Sequence, residues 1–298
     1  MSPYPSSHPF RFAVNMLSPG SATEWREKCR RAEALGYDVI LVPDHLGMPA
    51  PFPSLVAAAE ATERPRLGTM VLNAGLWNPA MLAREAATTD QLTGGRLELG
   101  LGAGYVKAEH DRAGLPFGSP RERVDHLEHT VRELERLLGD PEHAPRPAQG
   151  PRPPLLLGGN GDRMLRLAAR YADIAAFSGA TTDDSGAIRP VSPAVLDERV
   201  ARYQGFAADR PEPAELNILV QRVVVGDRRA AARELLAQAP GLTEDELLAH
   251  PVLLAGSVKD IADQVRAHRE RFGFTYFTVL EPSMEAFAPV LEELGRAA

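Results

Sequence analysis

Two short segments of the sequence have the residue types and spacing that chemistry requires. The first is the adjacent pair Asp44-His45, which follows the apolar run Tyr37–Val42 after one proline. A histidine titrates near neutral pH and can donate or accept a proton, while a neighbouring carboxylate can accept hydrogen bonds. The pair indicates proton transfer to or from a bound ligand, and the alternative is a loop pair with a purely structural role.

The second segment is a glycine-rich turn that leads directly into the amphipathic stretch Met164–Tyr171. Its residues are Gly158, Gly159, Asn160, Gly161, Asp162 and Arg163. Successive backbone N–H groups at a helix start form an anion site when no side chains obstruct them, and an arginine adds a charge suited to phosphate. The alternative is a tight turn in which the glycines supply positive φ.

Several other chemistries are excluded. A nucleophilic Ser-His-Asp or Gly-x-Ser-x-Gly arrangement does not occur where a nucleophile would lie. Cys29 is the only cysteine, and no His-x-His pair ends an apolar run, so no metal site is expected.

The bulk composition limits the partners. The 298 residues carry a net charge of −7, 44% are hydrophobic and 24% are charged. This balance offers no basic face for nucleic acid or an anionic membrane, and no apolar run approaches the roughly 20 residues that span a bilayer. We therefore expect a soluble, cytoplasmic protein that acts on a small molecule.

Eight short apolar runs alternate with helical patterns along the chain. They are Arg11–Met16, Tyr37–Val42, Arg66–Leu72, Arg96–Leu101, Pro154–Leu157, Asp173–Phe177, Leu216–Val225 and Phe274–Leu280. The clearest helix runs from Ser119 to Leu138, with Ser119 as N-cap, Pro120 at the first position and Glu122 completing a capping box. Similar start signals occur at Ser21, Asn78, Asp227, Thr243 and Ser257.

This alternation predicts the fold class. Several of the runs are apolar without strict alternation, which suits parallel strands covered on both faces. Eight right-handed β/α units in about 300 residues favour a closed (β/α)8 TIM barrel with insertion loops. No convincing linker is present, so residues 1–298 are expected to form a single domain. The polar segment Gly179–Ser192 is expected to be a mobile lid over one end.

Barrel enzymes carry their chemistry on the loops after the strands. Hydrogen-bonding residues or glycines follow nearly all of the eight runs, in agreement with that rule. Besides the two segments above, these positions include Asn15, Asn73, Trp77, Gly102, Ala103, Gly104, Tyr105, Ser178, Gln221, Arg222 and Glu281. Of these, Asn15, Trp77, Gln221 and Glu281 are candidates to face substrate, although a packing or loop role is an equal alternative for each.

The order and spacing of several blocks resemble the bacterial luciferase-like flavin oxidoreductases, and within them the branch that depends on the deazaflavin coenzyme F420. The resemblance extends from Phe12 to about Leu294. Its blocks are Gly36-Tyr37-Asp38 leading to Asp44-His45, Leu67-Gly68-Thr69 with Asn78-Pro79, the segment Asp90–Gly104, Gly158–Arg163 with Tyr171-Ala172-Asp173, and Gly256-Ser257.

The resemblance implies a luciferase-like (β/α)8 barrel that forms a homodimer, and it implies a set of cofactor contacts. Phosphate would bind at Gly158, Gly159, Asn160, Gly161 and Arg163. The ring would lie near Asp44 and His45 and beside Asn73, Gly102, Ala103, Gly104 and Tyr105. A non-prolyl cis peptide, here Met70–Val71, would bulge against the central part of the ring.

The implied chemistry is hydride transfer between F420 and a small organic substrate, favouring reduction of a C=C, C=N or C=O bond, with His45 exchanging the accompanying proton. Two departures count against sugar-phosphate oxidation. Tyr105 stands where the sugar-phosphate dehydrogenases of this branch carry glutamate, and Leu46-Gly47-Met48 stands where they carry tryptophan. The alternatives are an FMN-dependent monooxygenase and a non-catalytic flavin-binding barrel.

Overall fold

The computed structural model describes residues 8–18, 20–182, 188–237, 239 and 241–295, which contain thirteen strands and eleven α-helices. The strands are β1 (Arg11–Asn15), β2 (Val39–Val42), β3 (Arg66–Thr69), β4 (Leu72–Asn73), β5 (Leu97–Gly102), β6 (Leu155–Gly158), β7 (Ile174–Phe177), β8 (Ala180–Thr182), β9 (Ile188–Pro190), β10 (Glu215–Val220), β11 (Arg222–Val225), β12 (Leu253–Gly256) and β13 (Tyr276–Leu280). The helices are α1 (Ala22–Ala34), α2 (Pro51–Ala59), α3 (Pro79–Leu92), α4 (Lys107–Ala113), α5 (Pro120–Gly139), α6 (Asp162–Tyr171), α7 (Pro193–Phe206), α8 (Arg228–Leu236), α9 (Glu244–Leu248), α10 (Val258–Phe272) and α11 (Met284–Glu293).

Eight parallel strand positions, called staves below, close into a barrel, which confirms the predicted fold class. Their order is β1, β2, β3 with its continuation β4, β5, β6, β7, β10 and β13, which pairs again with β1. The helices that connect successive staves cover the outside of the barrel. The carboxyl ends of all eight staves therefore meet at one mouth.

The predicted helix starts are confirmed by their caps. The Ser119 hydroxyl accepts the Glu122 N–H, and the Glu122 carboxylate accepts the Ser119 N–H. The same reciprocal pair begins α1, α9 and α10, and side chains of Asn78 and Asp227 cap α3 and α8.

Two of the predicted strands need correction. The run Leu216–Val225 is not one strand, because the chain leaves the barrel at Gln221, whose N–H donates to Val252 O at 2.9 Å. Beyond that point β11 pairs with β12, an unpredicted strand, outside the barrel. Apolar residues occur on both sides of the break because both parts are paired strands, so the length of the run could not reveal the change of partner.

The run Arg66–Leu72 is likewise interrupted between β3 and β4. The peptide bond Met70–Val71 is cis, which confirms the prediction made for that bond. Of the predicted lid Gly179–Ser192, the described part forms an antiparallel hairpin of β8 and β9, while residues 183–187 lie outside the described residues.

Charged side chains close the end of the barrel opposite the mouth. Arg11 pairs with Glu98 and with Glu215, and its Nη1 lies 2.7 Å from Glu215 Oε2. The Nε of Arg66 contacts Glu98 Oε1 at 2.7 Å, and the buried Tyr276 hydroxyl donates to Glu98 Oε2 at 3.3 Å. Burial raises the pKa of Tyr276 well above its usual value, so its hydroxyl stays protonated. These paired charges therefore fill the end of the barrel opposite the mouth.

Across the described ranges, none of the helices combines the length and apolar character needed to cross a membrane.

Candidate functional site

His45 lies at the mouth in a hydrogen-bonded pair that its sequence neighbours did not reveal. Its Nδ1 is 2.7 Å from Glu109 Oε1, and the two side chains are 29% and 12% exposed. The ring of Tyr105 meets the imidazole edge-on, with 5.9 Å between centroids. A carboxylate can only accept here, so Nδ1 carries the proton and Nε2 is the ring atom left to exchange one. Glu109, on α4, is a site residue that the sequence analysis missed.

Asp44 is used mainly to fix its neighbours. Its Oδ2 accepts the Asn73 N–H at 3.2 Å and the Trp77 Nε1–H at 2.9 Å. Trp77 in turn packs edge-on against Phe52, with centroids 5.4 Å apart. Burial raises the pKa of the Asp44 carboxyl, and the two hydrogen bonds partly offset that effect. The loops after β2 and β4 are thus joined at the mouth.

Asn73 and His110 form a second buried link beneath this loop. The Asn73 side-chain amide is 3.0 Å from His110 Nε2, and His110 Nδ1 is 3.0 Å from Pro116 O. Because a backbone carbonyl only accepts, His110 carries its proton on Nδ1 and accepts from Asn73 on Nε2. His110 lies on α4 and is 1% exposed. A helix of only seven residues is too short to show a periodic apolar pattern in the sequence.

The turn after β5 requires glycine at Gly104. Its φ is +74°, and a Cβ there would lie 2.2 Å from Asn73 Oδ1. The turn that the resemblance places beside the ring is therefore packed directly on the Asn73–His110 link.

Three inward-facing glycines keep large side chains out of the mouth between β5 and β6. A Cβ at Gly100 would lie 1.9 Å from Thr69 O, and one at Gly102 would lie 2.7 Å from Val71 Cγ2. At Gly158 the nearest atom would be Val71 Cγ1, at 3.5 Å. The Val71 side chain therefore packs against Gly102 and Gly158. Together with Met70 it forms an apolar surface at the mouth, called the apolar floor below.

The glycine turn after β6 does not need glycine for its backbone conformation. Gly158, Gly159 and Gly161 are absent from the glycines with positive φ, and Gly161 has φ −81° as the N-cap of α6. A Cβ at Gly161 would meet nothing within 4 Å, and no side chain caps the helix. The first N–H groups of α6 are left open at the mouth. The structure thus favours the anion-binding interpretation over the tight-turn alternative.

Asn160 anchors this turn to the next stave. Its Nδ2 donates to Ser178 Oγ at 2.9 Å and to Ala180 O at 2.8 Å. Its Oδ1 is buried and has no hydrogen-bond partner within the described part of the chain. A carbonyl oxygen only accepts hydrogen bonds, so a hydroxyl group of a bound ligand, and not a phosphate oxygen, would satisfy it.

The remaining predicted residues occupy varied positions. Arg163 forms an ion pair with Asp125 and donates to Arg121 O at 3.2 Å, so its charge is already compensated. Glu281 accepts the Leu17 N–H at 2.7 Å and bonds the Lys28 ammonium, which ties down the loop after β1.

Two of the predicted substrate contacts lie where barrel strands end. Asn15 ends β1 with a buried Oδ1 that has no partner in the described ranges, and Gln221 lies at the break between β10 and β11. No group of three or more potential metal ligands occurs among the residues that the structure describes.

Known proteins resemble the chain in both sequence and fold. The family model described as luciferase-like monooxygenase matches residues 6–240. The oxygenase component of the flavin-dependent trigonelline monooxygenase of Acinetobacter baylyi is 32% identical over 151 residues, which is 44% of this chain and 41% of that protein. The chain therefore spans about two fifths of that relative's length.

Two solved structures share the fold over nearly the whole chain. An F420-dependent secondary alcohol dehydrogenase in complex with an F420-acetone adduct superposes with a TM-score of 0.76 at 17% identity, covering 98% of this chain and 100% of that one. The EDTA monooxygenase of Chelativorans sp. gives 0.72 at 14% identity, covering 98% and 95%. At such identities the likeness establishes the barrel and leaves the coenzyme open.

Proposed function

The chain belongs to the luciferase-like monooxygenase family of oxidoreductases, and within that family we propose that it transfers a hydride between coenzyme F420 and a small, uncharged organic substrate, reducing a C=C, C=N or C=O bond. The observation that supports the proposal is that three different structural features lie at the same end of the barrel. These are the open amides at Gly161, the apolar floor at Val71, and the proton-bearing pair His45–Glu109.

These parts fit a ribityl-phosphate cofactor. The phosphate would bind the N–H groups at the start of α6, where partial positive charge and free donors coincide. The tricyclic ring would lie against Val71, because the glycines of β5 and β6 have no side chains that would project into the space for the ring. When bound, the reduced deazaflavin supplies a hydride and reacts poorly with oxygen.

His45 supplies the proton that must accompany a hydride. Its Nδ1–H donates to Glu109, which holds the ring in one tautomer and orientation. Its Nε2 then exchanges a proton with the substrate atom that gains or loses one. Glu109 does not touch the substrate in this scheme, so it is a positioning residue.

The surroundings of His45 support an uncharged substrate. Leu46 and Met48, which follow it in the chain, expose 38% and 40% of their surface. Arg112 reaches this loop only as a weak donor to Leu46 O at 3.4 Å, and the Lys107 ammonium is paired with Asp111. Large apolar side chains that remain exposed beside a polar pair are typical of a small-molecule site.

Fluorescence titration of the purified protein with F420 and with FMN tests the cofactor, and stopped-flow bleaching of reduced F420 against enones, imines and aldehydes tests the reaction. We expect F420 to bind more tightly, and His45→Ala to slow bleaching by about 10²- to 10⁴-fold. The matched control is His129→Ala, which removes an exposed histidine of α5. Full-rate bleaching by His45→Ala across the pH range would refute the role of His45.

The second candidate is an FMN-dependent monooxygenase. It is favoured by the sequence match to the flavin-dependent trigonelline monooxygenase component. Because FMN and F420 share the ribityl phosphate, the turn at Gly161 fits both. Tight FMN binding without F420 binding, together with oxygen uptake in the presence of reduced FMN, would replace the first proposal by this one.

A further inference from the structure

Arg199 is a half-buried cation next to the glycine turn, although it is far from that turn in sequence. It lies on α7, and its Nη1 donates to Ala180 O at 3.1 Å. The same carbonyl oxygen accepts the Asn160 Nδ2–H at 2.8 Å. Since both donors meet at one oxygen atom, the guanidinium lies beside the side chain of Asn160.

An ion pair between α6 and α7 shows where Arg199 lies along the barrel axis relative to the start of α6. Arg202 Nη1 is 2.8 Å from Asp162 Oδ1, so residue 202 of α7 is beside the first residue of α6. Both helices follow barrel staves and run away from the mouth. Arg199 precedes Arg202 by three residues, about one helical turn or roughly 5 Å toward the mouth. It therefore lies about one turn beyond the first residue of α6, on the side of the mouth.

The charge of Arg199 is not compensated by the protein. No carboxylate lies within 4 Å of its guanidinium among residues 8–18, 20–182, 188–237, 239 and 241–295, whereas Arg163 and Arg202 each have an acidic partner. Burial lowers the pKa of Arg199, and no acidic neighbour opposes that effect. A guanidinium has five N–H donors, and Arg199 directs one of them to Ala180 O, so within the described residues its other donors are available to an anionic ligand.

We infer that Arg199 is the cation that contacts the phosphate of the ribityl-phosphate cofactor, together with the amides at Gly161. This inference rests on the proposed function and assigns a residue of α7 to a site that the sequence placed wholly within the turn. The phosphate, shared by F420 and FMN, would lie between the start of α6 and the guanidinium. Arg163, paired with Asp125, would then contribute little.

The experiment compares ligands with and without phosphate on the Arg199→Gln variant. Dissociation constants are measured by fluorescence for F420, FMN, riboflavin and the deazaflavin chromophore lacking phosphate. The matched control is Arg170→Gln, which removes the same charge from the last turn of α6, where Arg170 lies over the Tyr171 ring. Arg199→Lys, which keeps the charge, serves if the glutamine variant does not fold.

We expect Arg199→Gln to weaken the phosphorylated ligand about 10- to 100-fold, the range for a charged hydrogen bond, and to leave the unphosphorylated ligands unchanged. The control should bind all four like the wild type. Arg199→Lys should keep the preference of the wild type for the phosphorylated ligand, and losing that preference would overturn the inference. Equal losses for all four ligands, or no loss for any, would also overturn it. If the wild type bound none of them, the proposed function itself would fail.

Discussion

Replacing Glu109 by glutamine tests whether its carboxylate assists His45. Glutamine can still accept the His45 Nδ1–H, but it lacks the negative charge that stabilises the imidazolium. The present contact is 2.7 Å long, between side chains that are 29% and 12% exposed. A hydrogen bond to a charged group contributes about 1.5–3 kcal/mol and a neutral one about 0.5–1.5 kcal/mol. Solvent near His45 screens part of that difference, which leaves about 1 kcal/mol.

This loss predicts a rate change of modest size. About 1 kcal/mol in the barrier corresponds to roughly a fivefold slower proton-coupled step. Glu109→Ala also removes the orienting contact, so it should be slower than Glu109→Gln and no slower than His45→Ala. The assay is single-turnover bleaching of reduced cofactor from pH 5.5 to 8.5, with the cofactor dissociation constant and the thermal midpoint measured for each variant.

A purely structural role for Glu109 would give a different pattern. It would lower the thermal midpoint and the cofactor affinity while the shape of the pH–rate profile stayed the same. The control is Asp111→Asn on the same helix, where Asp111 pairs only with the exposed Lys107. If Glu109→Gln showed the wild-type rate and the wild-type pH–rate profile, the proposal that the Glu109 carboxylate assists proton transfer by His45 would be wrong.

Three further substitutions follow from the packing. Gly161→Ser should stabilise the fold by a few tenths of a kcal/mol in urea titrations because serine is the better N-cap, yet weaken cofactor binding about tenfold by occupying the same amides; equal binding would count against the anion site. Gly104→Ala should destabilise by about 2–4 kcal/mol through its φ of +74° and the asparagine oxygen 2.2 Å away, whereas Gly114→Ala, with φ +67° and open space, should cost only about 1 kcal/mol. Burial lowers the pKa of His268 to about 4, so the fold keeps its full stability above pH 6.5 and loses about 2 kcal/mol of unfolding free energy by pH 5 as this histidine gains a proton on unfolding. In urea titrations, His268→Gln should remove this contribution to the pH dependence of stability, whereas His129→Gln, at an exposed histidine, should leave it unchanged.

Local signals were enough to predict the barrel. Capping boxes such as Ser119–Glu122 depend on three or four neighbouring residues, and an apolar run such as Val39–Val42 is buried on both faces whatever its partner. What these signals could not determine was the partner of a strand. The run beginning at Leu216 is interrupted by Gln221-Arg222 and resumes with three valines. So short an interruption does not show that the chain changes from the barrel to a pairing with β12.

The proton-transfer pair was only half predictable for a related reason. His45 stands at the end of a predicted strand, where the barrel rule directs attention. Glu109 lies 64 residues away on a helix of seven residues, and nothing in its sequence neighbours distinguishes it from the other acidic residues of this chain. Only the packing of α4 against the loop after β2 brings the two together.

The phosphate end shows how the structure separates explanations that residue types leave equal. Glycines in a turn indicate either positive φ or a close approach by another group, and the sequence does not distinguish the two. The ordinary φ at Gly161 removes the first explanation, and the open space around it leaves the second. The choice of cation follows from the same geometry. Arg163 is adjacent in sequence but is paired with Asp125. Arg199 approaches the mouth side of α6 from the next helix, and no carboxylate among the described residues pairs with it. The glycine turn in the sequence is therefore enough to locate the backbone amides of this site. The cation, Arg199, is identified only by the way α7 packs beside α6.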